Sequence, residues 1–261
     1  MYHVGGVTGR RRTASSYWAC CREPATAKVS GRSPYLGSIV QLNIGASQTR
    51  LEGFTNIDIA PWADVTLDVG REPLPFEDSS VDLVFSYHTL EHVPDYLYAI
   101  GEIHRVLKHG APFLVGLPYI SLTEFHLVNP YHHHGFNEFS FNFFERGKLA
   151  GSASEGALRP PTLFKQAFRR LHYMGFANLL PETQKRWARR HLFNVVRKID
   201  FGVVAVKESG PVEFDGKAME QDFLRILRAR TPYSERPKLV PKNRHEAELQ
   251  RFKTWWWGKE D

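Results

Sequence analysis

Small, acidic and histidine side chains follow the ends of short apolar segments in this sequence. Gly45 and Ala46 come directly after one such segment, and Asp58 lies at the end of the next. A carboxylate at the end of a strand suits a ribose, because both vicinal hydroxyls of the sugar can donate hydrogen bonds to it. Taken alone, Asp58 would be better interpreted as a surface acid at a strand end, and its place after the glycine turn shifts the interpretation towards a binding role.

Three histidines are candidates for proton transfer, namely His88, His92 and His132. Imidazole titrates near neutral pH, so a histidine can accept the proton of a hydroxyl that acts as a nucleophile. Each candidate also has a structural alternative, because a histidine beside a tight turn often caps or packs against a helix. Of the three, His88 directly follows a predicted strand, where ligands of such sheets bind.

The consecutive histidines His132, His133 and His134 raise the question of a metal site. Neighbouring residues of an extended segment point to opposite sides, so only His132 and His134 share a face, with His126 or Glu138 as further ligands. The Cys/His spacing of strong zinc motifs is missing. The sequence therefore predicts no metal site.

These side chains need a scaffold that brings the ends of the apolar segments together. The segments alternate with turns and helical patterns, which predicts an α/β fold with a doubly wound, mostly parallel sheet. In such a sheet, ligands bind outside the carboxyl ends of the strands, where the winding reverses. The predicted strands are 39–44, 55–59, 64–68, 81–87, 112–117 and 201–206, and the predicted helices are 95–108, 162–173 and 217–230.

The composition indicates one globular domain with extensions. Hydrophobic residues make up 42% of the 261 residues, enough for a core. Residues 1–34 are rich in Gly, Arg, Ser and Thr without periodicity, and we predict a flexible leader there. Residues 35–208 are predicted to form the α/β domain, and residues 209–261 a C-terminal extension with one helix.

The charge and cysteine content narrow the range of partners. The net charge is +6, and in the absence of a recognised nucleic-acid module we interpret it as a solvated basic face, so nucleic acid is an unfavoured partner. The two cysteines are adjacent, Cys20 and Cys21, which excludes a disulfide framework. No run of about 18 apolar residues predicts a transmembrane segment. We predict a cytoplasmic protein, and the sequence leaves its oligomeric state open.

An ordered series of motifs between about residues 40 and 118 resembles the type 11 class I methyltransferases. The combination is far more specific than any single motif, and the turn Arg105–Gly110 before a strand is its most telling part. The motifs are Leu42-Asn43-Ile44-Gly45, Leu51 to Asp58, Pro73-Leu74-Pro75-Phe76, Val81-Asp82, Leu90-Glu91-His92, Arg105-Val106-Leu107-Lys108 and Gly110.

The resemblance implies the Rossmann-like class I methyltransferase fold and S-adenosyl-L-methionine as cofactor. It implies that Gly45 and Ala46 lie against the methionine part, that Asp58 holds the ribose hydroxyls, and that Asp68 and Val69 border the adenine. It also implies that His88 lines the pocket beside the sulfonium, and Asn43 and Ile59 complete the predicted cofactor contacts. The chain departs from the family at Ser47, where the family usually has a second glycine.

The expected function is therefore methyl transfer to a small-molecule or glycan acceptor, with a hydroxyl oxygen as the favoured acceptor atom. Residues 129–141 are similar to a stretch found in family members that modify such acceptors. Two alternatives stay open: a non-catalytic protein that binds a partner through its basic tail or Trp255–Trp257, and an RNA-directed methyltransferase that uses the basic residues 185–198. A dehydrogenase ranks lower, because no G-x-G-x-x-G turn follows the first strand.

Overall fold

The computed structural model describes residues 39–148, 162–208 and 211–232. The predicted leader and Trp255–Trp257 lie outside the described residues.

A seven-stranded sheet forms the centre of the fold. Its strands lie in the order β4-β3-β1-β5-β6-β8-β7, and the five from β4 to β6 are parallel, whereas β8 runs antiparallel to both β6 and β7. Two further short strands, β2 and β9, pair antiparallel with each other. The strands are β1 Gln41–Ile44, β2 Thr49–Arg50, β3 Thr55–Asp58, β4 Val65–Thr66, β5 Leu83–Tyr87, β6 Pro112–Pro118, β7 Leu163–Tyr173, β8 Val196–Val206 and β9 Thr231–Pro232.

The central strands are apolar because both faces of the sheet are covered. Successive side chains of a strand point to opposite faces, and in β5 Val84 belongs to the larger of two core clusters whereas Phe85 belongs to the smaller. In the same way, Phe113 and Leu114 of β6 lie in different clusters. The mostly parallel, doubly wound sheet that the sequence predicted is confirmed.

Helices cover both faces. Helix α1, Tyr96–Val106, begins after Asp95, whose side chain accepts a hydrogen bond from the amide of Tyr98 as an N-cap, and it buries Ile100 and Ile103 in the larger cluster. Helix α2 spans Glu182–His191 and was not predicted. Helix α3, Gly216–Ala229, buries Phe223 and Ile226 in the smaller cluster, so the predicted C-terminal helix is packed on the sheet.

The predicted helix 162–173 is wrong, because these residues form strand β7. The sequence pattern indicated a helix because the apolar residues have the spacing of a helical face, namely Phe164, Phe168 and Leu171. In the strand, Phe164 and Leu171 contact the larger cluster and Phe168 the smaller. Residues four apart in a regular strand share a face, and a register shift between Gln166 and Phe168 reverses the alternation. A bulged strand has therefore produced the apparent helical period.

Two smaller differences concern element lengths. Strand β8 begins at Val196 instead of residue 201, since it pairs along the whole of β7. Strand β4 contains only Val65 and Thr66. No helix within the described residues is long and apolar enough to cross a membrane.

Candidate active site

The winding of the sheet reverses at β1. This strand pairs with β3 on one side and with β5 on the other, and the chain passes first to β3 and β4 and then back to β5 and β6. In open α/β sheets, ligands bind in the crevice at the carboxyl ends of the two strands at this reversal. Gly45 follows β1, and His88 and Thr89 follow β5, so the residues after these strands line the candidate site.

The turn after β1 requires glycine at position 45. The φ of Gly45 is +74°, a left-handed conformation that favours glycine. A Cβ at this position would lie 1.9 Å from Oγ1 of Thr89, so the segment after β5 closes directly over the glycine. The amide of Gly45 donates to the carbonyl of Ile57 at 2.8 Å, which ties the turn to β3. Thr89 could not be predicted as a site residue, because a threonine between a strand and a helix carries no distinctive sequence signal.

The carboxylate of Asp58 lies against this turn. Its Oδ2 accepts a hydrogen bond from the amide of Ser47 at 2.7 Å, and its Oδ1 accepts one from the amide of Ala60 at 3.0 Å. A carboxylate offers about four lone-pair positions, so acceptor capacity for two sugar hydroxyls remains. The glycine turn and the carboxylate that the sequence predicted to share a site are therefore adjacent.

Ser47 adopts a backbone conformation that favours glycine. Its φ is +52°, again left-handed. The indole Nε1 of Trp62 donates to the carbonyl of Ser47 at 2.7 Å. The loop after β3 thus contacts the turn after β1. This contact joins residues fifteen apart in the sequence, and the sequence pattern did not reveal it.

Asp68 and Val69 lie next to Asp58. The amide of Leu67 donates to the carbonyl of Asp58 at 2.9 Å, which places the following residues beside the end of β3. Oδ1 of Asp68 accepts from the amide of Gly70 at 3.0 Å, and Val69 is nearly buried. Ile59, in contrast, is 72% exposed. The geometry brings the predicted ribose and adenine residues to one edge of the sheet.

Asn43 and Ala46 have buried side chains. The amide Nδ2 of Asn43 donates to Oδ1 of Asn56 at 2.9 Å between β1 and β3, and Ala46 is fully buried. Both residues are buried as a whole, and their contacts to a cofactor stay a prediction.

His88 is held at the end of β5 by its backbone and by Glu91. Its φ is +54°, and its amide donates to the carbonyl of Gly116 at 2.8 Å. Its Nδ1 lies 3.1 Å from Oε1 of Glu91, a residue that is only 1% exposed. A carboxylate that accepts a hydrogen bond from one ring nitrogen orients the imidazole and leaves the other nitrogen as a base.

The structure brings the other predicted bases to the same place. The rings of His92 and His132 lie 4.6 Å apart, and Nδ1 of His132 lies 3.0 Å from Nδ1 of His126. Burial lowers the pKa values of His126 and His132, which favours their neutral forms. His134 lies apart from them, with its Nε2 2.9 Å from the carbonyl of Pro94.

Glu138 belongs to a separate buried network. Tyr119 donates its hydroxyl to Glu138, and Nε of Arg189 donates to Oε1 of Glu138 at 2.8 Å. Burial raises the pKa of this carboxyl, but the hydrogen bonds from Arg189 and Tyr119 outweigh it and lower the pKa overall. Glu138 and His134 are therefore engaged elsewhere and do not join His132 as the sequence analysis had considered. Arg189, one of the residues in the basic segment, is directed inward by the same network.

The segment that contains Asp58 and His88 is similar to known proteins. Residues 47–115 match the model of a methyltransferase domain family. Demethylmenaquinone methyltransferase of Staphylococcus epidermidis is 57% identical over 37 residues, which is 14% of this chain and 15% of that protein. Sterol 4-C-methyltransferase of Caenorhabditis elegans is 33% identical over 64 residues, which is 24% of this chain and 19% of that protein. The chain thus spans less than a fifth of the length of either relative.

Solved structures with similar chains include two described as S-adenosylmethionine-dependent methyltransferases. The one from Methanosarcina mazei is 18% identical with a TM-score of 0.38, and the match covers 67% of this chain and 96% of that chain. The one from Archaeoglobus fulgidus is 16% identical with a TM-score of 0.41, and the match covers 64% of this chain and 86% of that chain. The match to the family model agrees with the resemblance seen in the sequence: residues 47–115 are similar to the methyltransferase domain of the type 11 family, and they lie on the parallel part of the sheet.

Proposed function

We propose that this chain is an S-adenosyl-L-methionine-dependent methyltransferase that acts on a small-molecule or glycan acceptor. The observation that carries the proposal is the meeting of Gly45, Asp58 and Thr89 at the point where the sheet reverses its winding. The cofactor has no phosphate, so it needs no glycine-rich phosphate turn, and the single glycine bend after β1 is sufficient.

The residues at the strand ends fit the cofactor. The unused lone pairs of Asp58 accept the ribose hydroxyls, Gly45 gives the backbone room on the methionine side, and Asp68 with Val69 borders the adenine. When bound, the cofactor supplies a methyl group on a positively charged sulfur.

Methyl transfer is an in-line displacement, so the main task of the chain is to hold the acceptor close to the methyl carbon and collinear with it. We infer that the acceptor atom is a hydroxyl oxygen. The oxygen forms its bond to the methyl carbon as the carbon–sulfur bond breaks, and His88 accepts the hydroxyl proton. Glu91 orients His88 for this step through the hydrogen bond to Nδ1.

Binding of the cofactor to an Asp58→Asn variant tests the proposal. Asparagine keeps one acceptor for the amide of Ser47 but offers fewer lone pairs to the ribose. A lost hydrogen bond to a charged group costs about 1.5–3 kcal/mol, so isothermal titration should show roughly 10- to 100-fold weaker binding of S-adenosylhomocysteine.

Asp95→Asn is the matched control, because asparagine caps a helix as well as aspartate does and α1 should stay intact. Absence of S-adenosylhomocysteine binding to the folded wild-type chain would overturn the proposal. Once a panel of hydroxyl acceptors yields a substrate, His88→Ala should lower kcat by about 100- to 10,000-fold.

The alternatives predict different results. An RNA-directed enzyme would bind RNA with an affinity that falls steeply with salt. A non-catalytic protein that acts through its tail would keep its partner after Asp58→Asn.

A further inference from the structure

Glu91, His92 and His132 form a cluster in which one oxygen of Glu91 orients His88, whereas the other oxygen and the two imidazoles take no part in the proposed proton transfer. One ligand atom from each of the three residues lies within 4.8 Å of the other two. We propose that this cluster binds a first-row divalent cation of the Zn²⁺ or Co²⁺ type. The sequence alone predicted no metal site, because the spacing of these residues is not that of a zinc motif.

An unpaired oxygen of Glu91 points to a missing ligand. Glu91 is 1% exposed, and its Oε1 accepts the hydrogen bond from His88. Its Oε2 is buried and has no hydrogen-bond partner. Buried polar atoms are nearly always paired, and an exception requires an explanation such as a bound ion. A cation within reach of His92 and His132 would satisfy this oxygen.

The hydrogen bonding of His92 favours the tautomer that can bind a metal. Its Nδ1 lies 3.1 Å from the carbonyl oxygen of Tyr131. A carbonyl oxygen can only accept, so Nδ1 of the neutral ring carries the hydrogen and Nε2 keeps its lone pair. Histidines that bind metals almost always donate their second ring nitrogen to a carboxylate or a backbone carbonyl in this way.

The cluster consists of Glu91 and His92 in the turn after β5 and of His132 in a later segment. Contacts between neighbouring residues hold these two parts together. The amide of His133 donates to the carbonyl of Glu91 at 2.7 Å, and Nε2 of His134 lies 2.9 Å from the carbonyl of Pro94. On the other side of the cluster, the ring of His126 contacts His132. These contacts join the turn after β5 to a segment about forty residues away, so the three candidate ligands are held near one another before any ion binds.

The donor set matches a site with an open position. Two imidazoles and one carboxylate are the protein ligands of several catalytic zinc sites, in which water or substrate occupies the fourth position. Ligands about 2.0–2.2 Å from a tetrahedral ion lie roughly 3.5 Å apart, so side-chain shifts of about one ångström close the cluster around the ion. If the proposed methyl transfer is correct, this open position lies beside His88 and suits an acceptor oxygen.

Titration of the full chain with Co²⁺ after removal of metals by a chelator tests the site directly. Co²⁺ bound by two imidazoles and a carboxylate in tetrahedral geometry has strong visible absorption, and we expect one equivalent to saturate it. His92→Ala and His132→Ala should each weaken binding by more than the roughly 10- to 100-fold that loss of an outer-shell partner causes. Glu91→Gln should do the same, and the two histidine variants keep the test decisive if the change at the buried Glu91 prevents folding.

His133→Ala is the matched control, because His133 is exposed and adjoins His132. It should bind Co²⁺ like the wild type. Failure of the wild type to bind Co²⁺, or binding that His92→Ala and His132→Ala leave unchanged, would overturn the metal site. S-adenosylhomocysteine binding, measured in the presence of chelator, gives an independent readout. Cofactor binding without Co²⁺ binding removes only the metal site, whereas Co²⁺ binding without cofactor binding removes only the proposed function.

Discussion

Two of the four non-glycine residues with left-handed φ in the described part of the chain lie at the candidate site. Ser47 and His88 are non-glycine residues with left-handed φ values of +52° and +54°, and they follow β1 and β5 closely. Such a conformation costs on the order of 1–3 kcal/mol and persists only where the surroundings enforce it. At Ser47 the enforcing contacts are the hydrogen bonds to Asp58 and Trp62. These two residues are therefore where stability and function are expected to compete.

Ser47→Gly should stabilise the protein slightly. Glycine adopts a left-handed φ without strain, and this gain of about 1–2 kcal/mol exceeds the entropic penalty of glycine, which is about 0.5–1 kcal/mol. Urea denaturation should show a free energy of unfolding higher by up to about 1 kcal/mol. Ala46→Gly, one position earlier and outside the left-handed region, should lower it instead. A loss of stability in Ser47→Gly would show that the side chain of Ser47 has a structural role.

Arg105 and Glu102 hold the loop between β4 and β5 on helix α1. Arg105 donates to Glu102 and to the carbonyls of Leu74 and Phe76, and the amide of Leu74 donates to Glu102. The hydrogen bond from Arg105 lowers the pKa of Glu102, although burial acts in the opposite direction. The interaction therefore stabilises the fold fully above the pKa of glutamate in the unfolded chain, about 4.3, and is lost as the pH falls through the lower folded pKa.

Glu102→Gln should reveal this dependence. At neutral pH we expect the free energy of unfolding to fall by roughly 1–3 kcal/mol, the usual range for a hydrogen bond to a charged group. The difference from the wild type should shrink as the pH drops from about 5 towards 3, because wild-type Glu102 then becomes protonated. Asp78→Asn removes the other, exposed partner of Arg105 and should cost well under 1 kcal/mol. A pH-independent difference for Glu102→Gln would contradict the assigned pKa shift.

At the scale of elements, helix α3 completes the core. The described residues between β1 and β3 contain the short strand β2 and no helix. The face of the sheet that carries Phe85 and Leu114 is covered by α3, whose Phe223 ring lies 5.6 Å from that of Phe85. Within the predicted extension, the described helix α3 is thus a layer of the domain.

Phe223→Ala should destabilise the whole domain. Phe223 is fully buried, and removal of a buried phenylalanine ring typically costs about 3–5 kcal/mol. Arg225→Ala, on the exposed side of the same helix, should change stability by less than about 0.5 kcal/mol. Urea denaturation followed by circular dichroism distinguishes the two. If Phe223→Ala were as mild as Arg225→Ala, α3 would not be part of the cooperative unit.

Patterns that arise within one element were predictable from the sequence. Helix α1 has a regular apolar spacing and an Asp95 cap, and β5 and β6 are continuous apolar runs, so their positions followed directly. Strand β7 did not, because its bulge mixes two faces into a helical spacing and its partner β8 follows more than twenty residues later. Such strands are determined by their pairing with strands that are distant in the sequence, and a local sequence pattern does not reveal that pairing.

The candidate site shows the same division. The strand-end positions of Gly45, Asp58 and His88 followed from the rule for parallel sheets. The closure of Thr89 on Gly45 and the approach of His132 to Glu91 and His92 depend on how separate loops fold back, and the sequence did not indicate them.

At the scale of the whole molecule, the end of the described chain returns to the site. Strand β9 pairs with β2, which follows the Gly45 turn, and Nε of Arg230 donates to Oγ1 of Thr49 at 3.0 Å. The guanidinium of Arg230 also lies 5.0 Å from the ring centroid of Tyr87, directly before His88. Both strands at the winding reversal are therefore braced by the same C-terminal segment.

Because the C-terminal segment contacts both strands, we expect ligand binding to slow amide exchange in this segment as well as at the strand ends. In hydrogen–deuterium exchange with short labelling times, S-adenosylhomocysteine should slow the amides of residues 45–50 and 58–60, and also those of Arg230 and Thr231. Amides exchange through local openings whose free energies differ along the chain, and a ligand protects the segments whose opening would release it. Strand β7, at the far edge of the sheet, is the internal control and should be unchanged. Protection confined to residues 45–60 would show that β9 is not coupled to the site, and Arg230→Ala should then leave cofactor affinity unaltered.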